Sequence, residues 1–290
     1  MYKQNTGFQT MINSLFNNSL IIKFWMMLWY ILYCIKFRIE PWKFFQLNAD
    51  YFNNKIGLYS KQDINQLIPF RWRLKQLVHD GVTTPQQYPV FLKPEWGQNS
   101  YGIYRVDCLQ EFKHIQEEIA GKELTYLLQD AANEQREFEI YYIRQSEKPD
   151  MYAVLSITEV ENSREENYPI NGVYNIYTSY RDLTHRFING ETKTVWDHLK
   201  KIGNFRMARV CVKADSKASL LKGNFHIVEI NLFTPMPLNL LDTAKPWGEK
   251  ISFIRAGMFF LAENTKAIST SQEKKSIFLR KLAMHYKVKS

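Results

Sequence analysis

The sequence predicts an α+β fold with largely antiparallel sheets, preceded by a helical segment. Three observations carry this expectation. Short β-like runs alternate with amphipathic stretches from residue 88 onward, the region before that reads as helical, and 45% hydrophobic with 15% aromatic residues is ample for a packed core.

The segment LIIKFWMMLWYILYCIKFRI at 20–39 predicts a helix that Pro41 ends. Its uncharged centre, 24–35, is shorter than the about 20 apolar residues of a membrane span. Lys23 and Lys36 flank it, and Trp25, Trp29, Tyr30 and Tyr33 suit a boundary between water and lipid. Two placements stay open: packed on the protein body, or lying on an anionic membrane surface. Residues 48–57 read as a polar connection and 63–79 as a helix carrying Arg71, Arg73 and Lys75, closed by turn residues at 81–85. Strands are predicted at 90–92, 104–106, 126–129, 138–144, 151–160, 207–213 and 226–230, and helices at 109–121, 195–202, 250–264 and 272–286. The last helix is basic and amphipathic, fit either to pack its apolar stripe or to touch a membrane or partner.

A formal charge of +9 calls for an anionic partner, nucleotide phosphates or acidic lipid headgroups. Nucleic acid is set aside, because the chain has no zinc-finger spacing, basic heptad region or aromatic RNA-binding signature. Cys34, Cys108 and Cys211 are odd in number and far apart, with no CxxC spacing and no cleavable signal peptide, which predicts reduced thiols and a cytoplasmic setting.

Four stretches could carry chemistry. In YPVFLKPEWGQNSYGI at 88–103, an apolar strand delivers Lys93 into a loop of small polar residues whose backbone N–H groups suit phosphate oxygens. The alternative is a hairpin turn with a solvated lysine. In HIVEIN at 226–231, Glu229 and Asn231 share one strand face and offer hard oxygen donors suited to Mg²⁺, or form the polar face of an edge strand. In RMARVC at 206–211, Arg209 and Cys211 share a face, and Arg209 could neutralise charge on a transferred phosphoryl group, or be a surface arginine beside a core cysteine. Finally, Gln129, Asp130, Ala131 and Ala132 form a hinge before Glu137, able to line an adenine and meet a ribose, or to be a charged hairpin.

Taken along the chain, as lysine strand with loop, hinge with glutamate, arginine strand and then ExN strand, the four stretches resemble the ATP-grasp superfamily over about 61–241. The segment from Lys93 to Gly102 is similar to the KPxxxxxSxG phosphate loop of D-alanine-D-alanine ligases, with Ser100 and Gly102 in step. Arg209-Val210-Cys211 resembles the family's RxD and Glu229-Ile230-Asn231 its ExN, followed by a proline-containing loop at 234–237. The resemblance implies a fold of two α+β subdomains gripping a nucleotide. The expected division is a helical, aromatic-rich extension at 1–60, the core at 61–245, and basic amphipathic helices at 246–290 packing on it.

It also implies roles. Lys93 would contact the α- and β-phosphates, Gln98, Asn99, Ser100 and Gly102 would cover the β- and γ-phosphates, and Lys61 would be a second lysine on the nucleotide. Glu137 would hold the ribose, Glu229 and Asn231 the Mg²⁺, and Arg209 the transferred group. Apart from these implied roles, the residues themselves offer the 167–186 region and the 234–239 loop, with Arg181 and Thr234, to receive substrate; Tyr180, Arg181, His185 and Arg186 form a polar aromatic cluster able to take a carboxylate, or a solvated loop that merely covers the sheet. The implied activity is an ATP- and Mg²⁺-dependent ligase joining a small-molecule or peptide carboxylate to an amine or thiol through an acylphosphate. Cys211 stands where the family has a metal-binding aspartate, and a thiol is a poor Mg²⁺ ligand. Asp215 shares its strand parity as a substitute. That departure keeps open a nucleotide-binding regulator of the same fold, peripheral to the inner membrane face.

Overall fold

The computed structural model describes residues 5–97, 100–164 and 167–289. Helix α1 (Asn5–Phe37) leads through 3₁₀ turns to α2 (Lys61–Leu67), and two sheets follow. The smaller holds β1 (Gln76–Val78), β2 (Val90–Pro94), β3 (Tyr104–Val106) and β4 (Tyr126–Asp130) in the order β1-β4-β2-β3, with α3 (Leu109–Ile119) connecting β3 to β4. The larger holds β5 (Arg136–Arg144), β6 (Tyr152–Asn162), β7 (Thr178–Asp182), β8 (Met207–Ala214) and β9 (His226–Asn231) in the order β7-β6-β5-β8-β9. Every pairing within both sheets is antiparallel. Helices α4 (Glu191–Leu199) and α5 (Lys217–Lys222) lie between strands, and α6 (Trp247–Lys266) and α7 (Ile277–Lys289) end the chain. The predicted α+β class and antiparallel sheets are what the chain adopts.

One predicted helix is corrected. Instead of a helix over 63–79, α2 stops at Leu67, a 3₁₀ turn covers Phe70–Trp72, and Gln76–Val78 pairs with β4 as an edge strand. Pro69 is the cause, since proline pushes the residue before it out of the helical region and Ile68 is extended at ψ 126°. Nor is the charged stretch after β4 a hairpin. Strands β4 and β5 belong to different sheets, so 131–135 is the hinge between them.

Period-two alternation along β5 builds the larger sheet's two faces. Phe138, Ile140 and Tyr142 point into a core closed by α2, α4 and α5, whose largest members include Trp72, Trp196 and Phe205. Tyr141 and Ile143 point the other way and are covered by α6 and α1 through Ile254, Met258, Leu261, Tyr30 and Ile22. That cover stops short of Glu137 and Glu139, which share the same face by parity. In the smaller sheet, Val90, Leu92, Val106 and Leu128 pack with Phe112 and Ile119 of α3, leaving Phe91, Lys93 and Gln129 on the opposite face. The two uncovered faces meet across a cleft.

Trp72 ties α2 and its following turn to the larger sheet. It is fully buried, stacks on Phe225 at 4.9 Å, and donates its Nε1 proton to the Gly223 carbonyl at 2.9 Å. Gly223 takes φ +78°, and a side chain there would press on the His198 ring at 3.2 Å. Replacing Trp72 with Ala removes a large buried ring and strands the Gly223 carbonyl, so urea denaturation should show a loss of about 3–5 kcal/mol.

Candidate functional site

The cleft encloses about 290 Å³, near the small end of ligand pockets at about 300–1,000 Å³. Its floor is Lys93. The side chain is 4% exposed and donates from Nζ to Gln129 Oε1 at 2.9 Å and to the Val228 carbonyl at 3.3 Å. Gln129 in turn donates from Nε2 to the same carbonyl at 3.1 Å, so β2 and β4 are both fastened to β9. The solvated-lysine reading of this loop is therefore wrong. Burial pushes the Lys93 ammonium down to about 7, with Lys61 adding to the fall while Glu229 and Cys211 oppose it.

Lys61 opens α2, where Ser60 caps the helix by accepting from the Asp63 amide at 3.1 Å. Its Nζ lies 3.5 Å from Glu229 Oε1 and donates to the Pro94 carbonyl at 3.3 Å. Burial raises the Glu229 carboxyl, but Lys61, Lys93 and Arg209 together outweigh it and hold the group below its ordinary range. Asn231 follows on the same strand face and lines the cleft.

Across from these cations sits an acidic group on β5 and β8. Oxygens of Glu137 and Glu139 and the Cys211 sulfur lie within 4.8 Å of one another. Register pairs Glu139 with Cys211 and Cys211 with Glu229. Glu137 is held by Lys213 at 3.3 Å and by the Asn171 amide at 3.0 Å. Arg209 Nε approaches Glu139 Oε2 to 3.2 Å without hydrogen-bond alignment, leaving both buried atoms without a hydrogen-bond partner among the described residues. Arg209 Nη1 also donates to the Met236 carbonyl at 3.1 Å, anchoring the loop after β9. Burial pushes the Glu139 carboxyl up to about 7 despite Arg209, with Glu137 and Glu229 adding to the rise. Burial likewise raises the Cys211 thiol well above its ordinary range, reinforced by Glu137 and Glu139, so the sulfur stays protonated.

The loop after β2 forms the near rim through Gly97, Ser100, Tyr101 and Ile103. Ser100 adopts φ +61° and donates to the Asn171 carbonyl at 2.5 Å, closing the loop onto the opposite wall, residues 168–173. Gly102 supplies φ +72° in this turn and lies just outside the lining. Gln98 and Asn99 lie outside the described residues. Behind the rim, α7 sets the buried Lys281 amine, without a hydrogen-bond partner among the described residues, over the rings of Phe233 at 3.2 Å and Trp96 at 4.7 Å.

Of the hinge residues, Gln129, Asp130 and Ala132 line the cleft, while Ala131 turns away and donates its amide to the Pro89 carbonyl at 3.4 Å. Thr234, at φ +43°, and Tyr180 also line it. Two expectations are corrected. Arg181 follows Tyr180 on β7 and so projects to the opposite face, where it pairs with Glu159 and Glu161 at 2.5 Å each. His185 and Arg186 are also absent from the lining. Asp215 is exposed beyond the end of β8 and accepts from the Gln135 amide at 3.4 Å. Four residues of strand separate it from Cys211 by roughly 13 Å, beyond shared coordination. The sequence reading did not single out Glu139, Lys213 or Lys23 for the cleft, whereas Asn171 lies in the 167–186 candidate region, whose residues 168–173 line the cleft. Parity with Glu137 and Cys211 was a signal for the first two; the others come from distant chain segments.

No protein-family model matches the sequence, and no curated protein matches it. Among solved structures the chain is similar to D-alanine–D-alanine ligase from Bacillus anthracis, at 12% identity over 72% of this chain and 67% of that one, with a TM-score of 0.49. It is also similar to L-amino acid ligase from Bacillus licheniformis, at 16% identity over 60% of this chain and 40% of that one, TM-score 0.40. A third is the ATP-grasp ligase PsnB complexed with a phosphomimetic variant of minimal precursor, Mg and ADP, at 12% identity over 69% and 58%, TM-score 0.43. The chain thus spans 40% to 67% of the length of these structures.

The buried charges give a pH dependence of stability. Folded Glu139 keeps its proton up to about 7, whereas the unfolded carboxyl releases it near 4.5, so its contribution falls as pH rises between those values. Folded Lys93 loses its proton near 7 and the unfolded amine near 10.5, so its contribution climbs over that higher window. Urea denaturation across pH should show Glu139→Gln removing the decline between pH 4.5 and 7 and leaving the higher limb in place.

Proposed function

We propose that this chain is an ATP-dependent ligase that joins a carboxylate to an amine or thiol through an acylphosphate. The observation that carries this reading is the gathering of Lys61, Lys93 and Arg209 around Glu229 and Asn231 in one cleft, under a loop of small residues. A lysine held dry at the end of a strand is stabilised by an anion, and Lys61 beside it doubles the attraction for phosphate oxygens. The amides of Gly97 and of 100–103 and the Ser100 hydroxyl would close over the outer phosphates. Gln129, Asp130, Ala131 and Ala132 would run beside the adenine, and Glu137 would meet the ribose.

The donor set fits Mg²⁺ through oxygen. Glu229 and Asn231 face the cleft from one strand, and Glu139 offers a buried oxygen with no hydrogen-bond partner. The protonated Cys211 thiol does not fit a hard cation. Bound Mg²⁺ would neutralise phosphate charge.

In the reaction, a substrate carboxylate oxygen bonds to the γ-phosphorus as the bond to ADP breaks. The amine or thiol then bonds to the acyl carbon as inorganic phosphate leaves and a proton is lost. Arg209 neutralises charge on the transferred group, and Thr234 and Tyr180 flank the substrate, a small-molecule or peptide carboxylate. Catalysis of this type rests on positioning and charge. The reaction belongs in the cytoplasm, where ATP and reduced cysteines coexist.

Cys211 favours a second reading, a nucleotide-binding regulator without turnover. ATP should raise the melting temperature of the parent chain, and Lys93→Ala should abolish the shift. No shift in the parent sinks both readings. ADP release on incubation with pools of amino acids and peptides, reduced roughly 10²-fold or more by Glu229→Ala, selects the ligase. An ATP shift without ADP release, in the parent and in Cys211→Asp alike, selects the regulator.

A further inference from the structure

Over 20–37, helix α1 is apolar nearly all round, yet only one side of this part is covered. Ile22, Tyr30 and Cys34 are buried, and Trp25, Met26, Trp29, Tyr33 and Phe37 pack against the same core. Phe259 of α6 meets Tyr33 and Phe37 edge-on at 5.4 Å each, Arg255 lies over the Trp29 ring at 4.9 Å, and the Tyr30 and Thr265 hydroxyls are 3.0 Å apart. On the other side Leu20, Ile21, Phe24, Met27, Leu32 and Ile35 form one stripe at helical spacing, with Phe24 54%, Met27 56% and Ile35 68% exposed. No charge interrupts this stripe. A helix with apolar residues on every side belongs in a core or in contact with lipid, and here half of it lacks a core.

The charges sit on the edges. At 100° per residue, Lys23 and Lys36 fall on the two borders between the covered and uncovered sides, where their stems can lie along the apolar surface. Arg38 and Lys43 follow beyond the helix end, beside Trp42, which is 63% exposed. Glu40 is the acid in this stretch, and Lys43 pairs with it at 3.5 Å. An apolar stripe with a basic border and an aromatic at its end is the chemistry of a helix lying in the headgroup layer of an anionic bilayer.

We propose that the uncovered stripe of α1 docks the protein on the surface of an anionic lipid bilayer. The 19-residue segment Ser19–Phe37 is long and apolar enough to cross a membrane by composition, but its inner side is engaged with α6, which holds the helix flat against the body. A second copy is the poorer occupant, since it would bring an identical basic border against the first in a chain of net charge +9. Lys23 also lines the cleft, so docking sets the cleft beside the lipid surface. The proposal stands independently of the ligase reading.

The test is flotation of the full chain with vesicles of phosphatidylcholine, alone and mixed with phosphatidylglycerol, with Phe24→Gln/Met27→Gln/Ile35→Gln as the variant. These side chains are exposed, so the melting temperature and its response to ATP should be unchanged. The parent should float with the anionic vesicles, less so at high salt, and the variant should lose at least tenfold of that binding. Absence of flotation, equal flotation of parent and variant, or equal flotation with neutral vesicles overturns the proposal. So does retention on membranes through alkaline extraction, the mark of a spanning helix, or vesicle-free dimerisation of the parent that the variant abolishes.

Discussion

A single ammonium group enclosed between two sheets sets the terms for the rest of this protein. Lys93 leaves water when β2 approaches β9, and a buried cation demands compensation. Part of it comes from Gln129 and the Val228 carbonyl, which bind it directly, and part from Glu229, whose charge lies close enough to be felt. Gln129 donates to that same carbonyl, so the contacts that satisfy Lys93 also fasten the small sheet to the large one. The cleft is therefore a place where the closing interaction and the candidate chemistry use the same atoms.

Charges of opposite sign meet in the cleft, Lys61 with Glu229, Lys213 with Glu137 and Arg209 with Glu139. Lys61, Lys93 and Arg209 hold Glu229 ionised, while Glu139 and Cys211, deeper against β5, are driven toward their neutral forms. The misaligned approach of Arg209 to Glu139 leaves buried polar atoms without hydrogen bonds. Such an arrangement costs stability, and binding sites are where proteins tolerate that cost. The apolar cover of α6 and α1 over the same face ends where these groups begin, so the boundary between core and cleft runs along one strand, between Tyr141 and Glu139.

Much of this was readable from residue order. Period-two alternation placed Glu229 with Asn231 and Arg209 with Cys211, and all four line the cleft together with Lys93. The same rule, carried one step further, finds Glu139 and Lys213. Arg181 is grouped with Tyr180 as one polar aromatic cluster, and the same rule separates them, because adjacent strand residues point to opposite faces. The rule failed at Asp215 because parity continues past the end of a strand where the structure does not. The helix expected over 63–79 fails at Pro69, which forces Ile68 out of the helical region.

What the amino-acid sequence determined by itself is local: strand faces, the left-handed turn that Gly102 supplies, the cap at Ser60, and the apolar character of 20–39 on every side. Each follows from forces acting over a few residues. Tertiary structure decided which of those faces met. Asn171 reaches Glu137, Lys23 reaches the cleft wall and α6 covers one side of α1 only because segments far apart in the chain pack together, and that packing is the joint outcome of the whole core. Lys93 shows the division most clearly. Its place at a strand end was written in the sequence, whereas its loss of water required a second sheet.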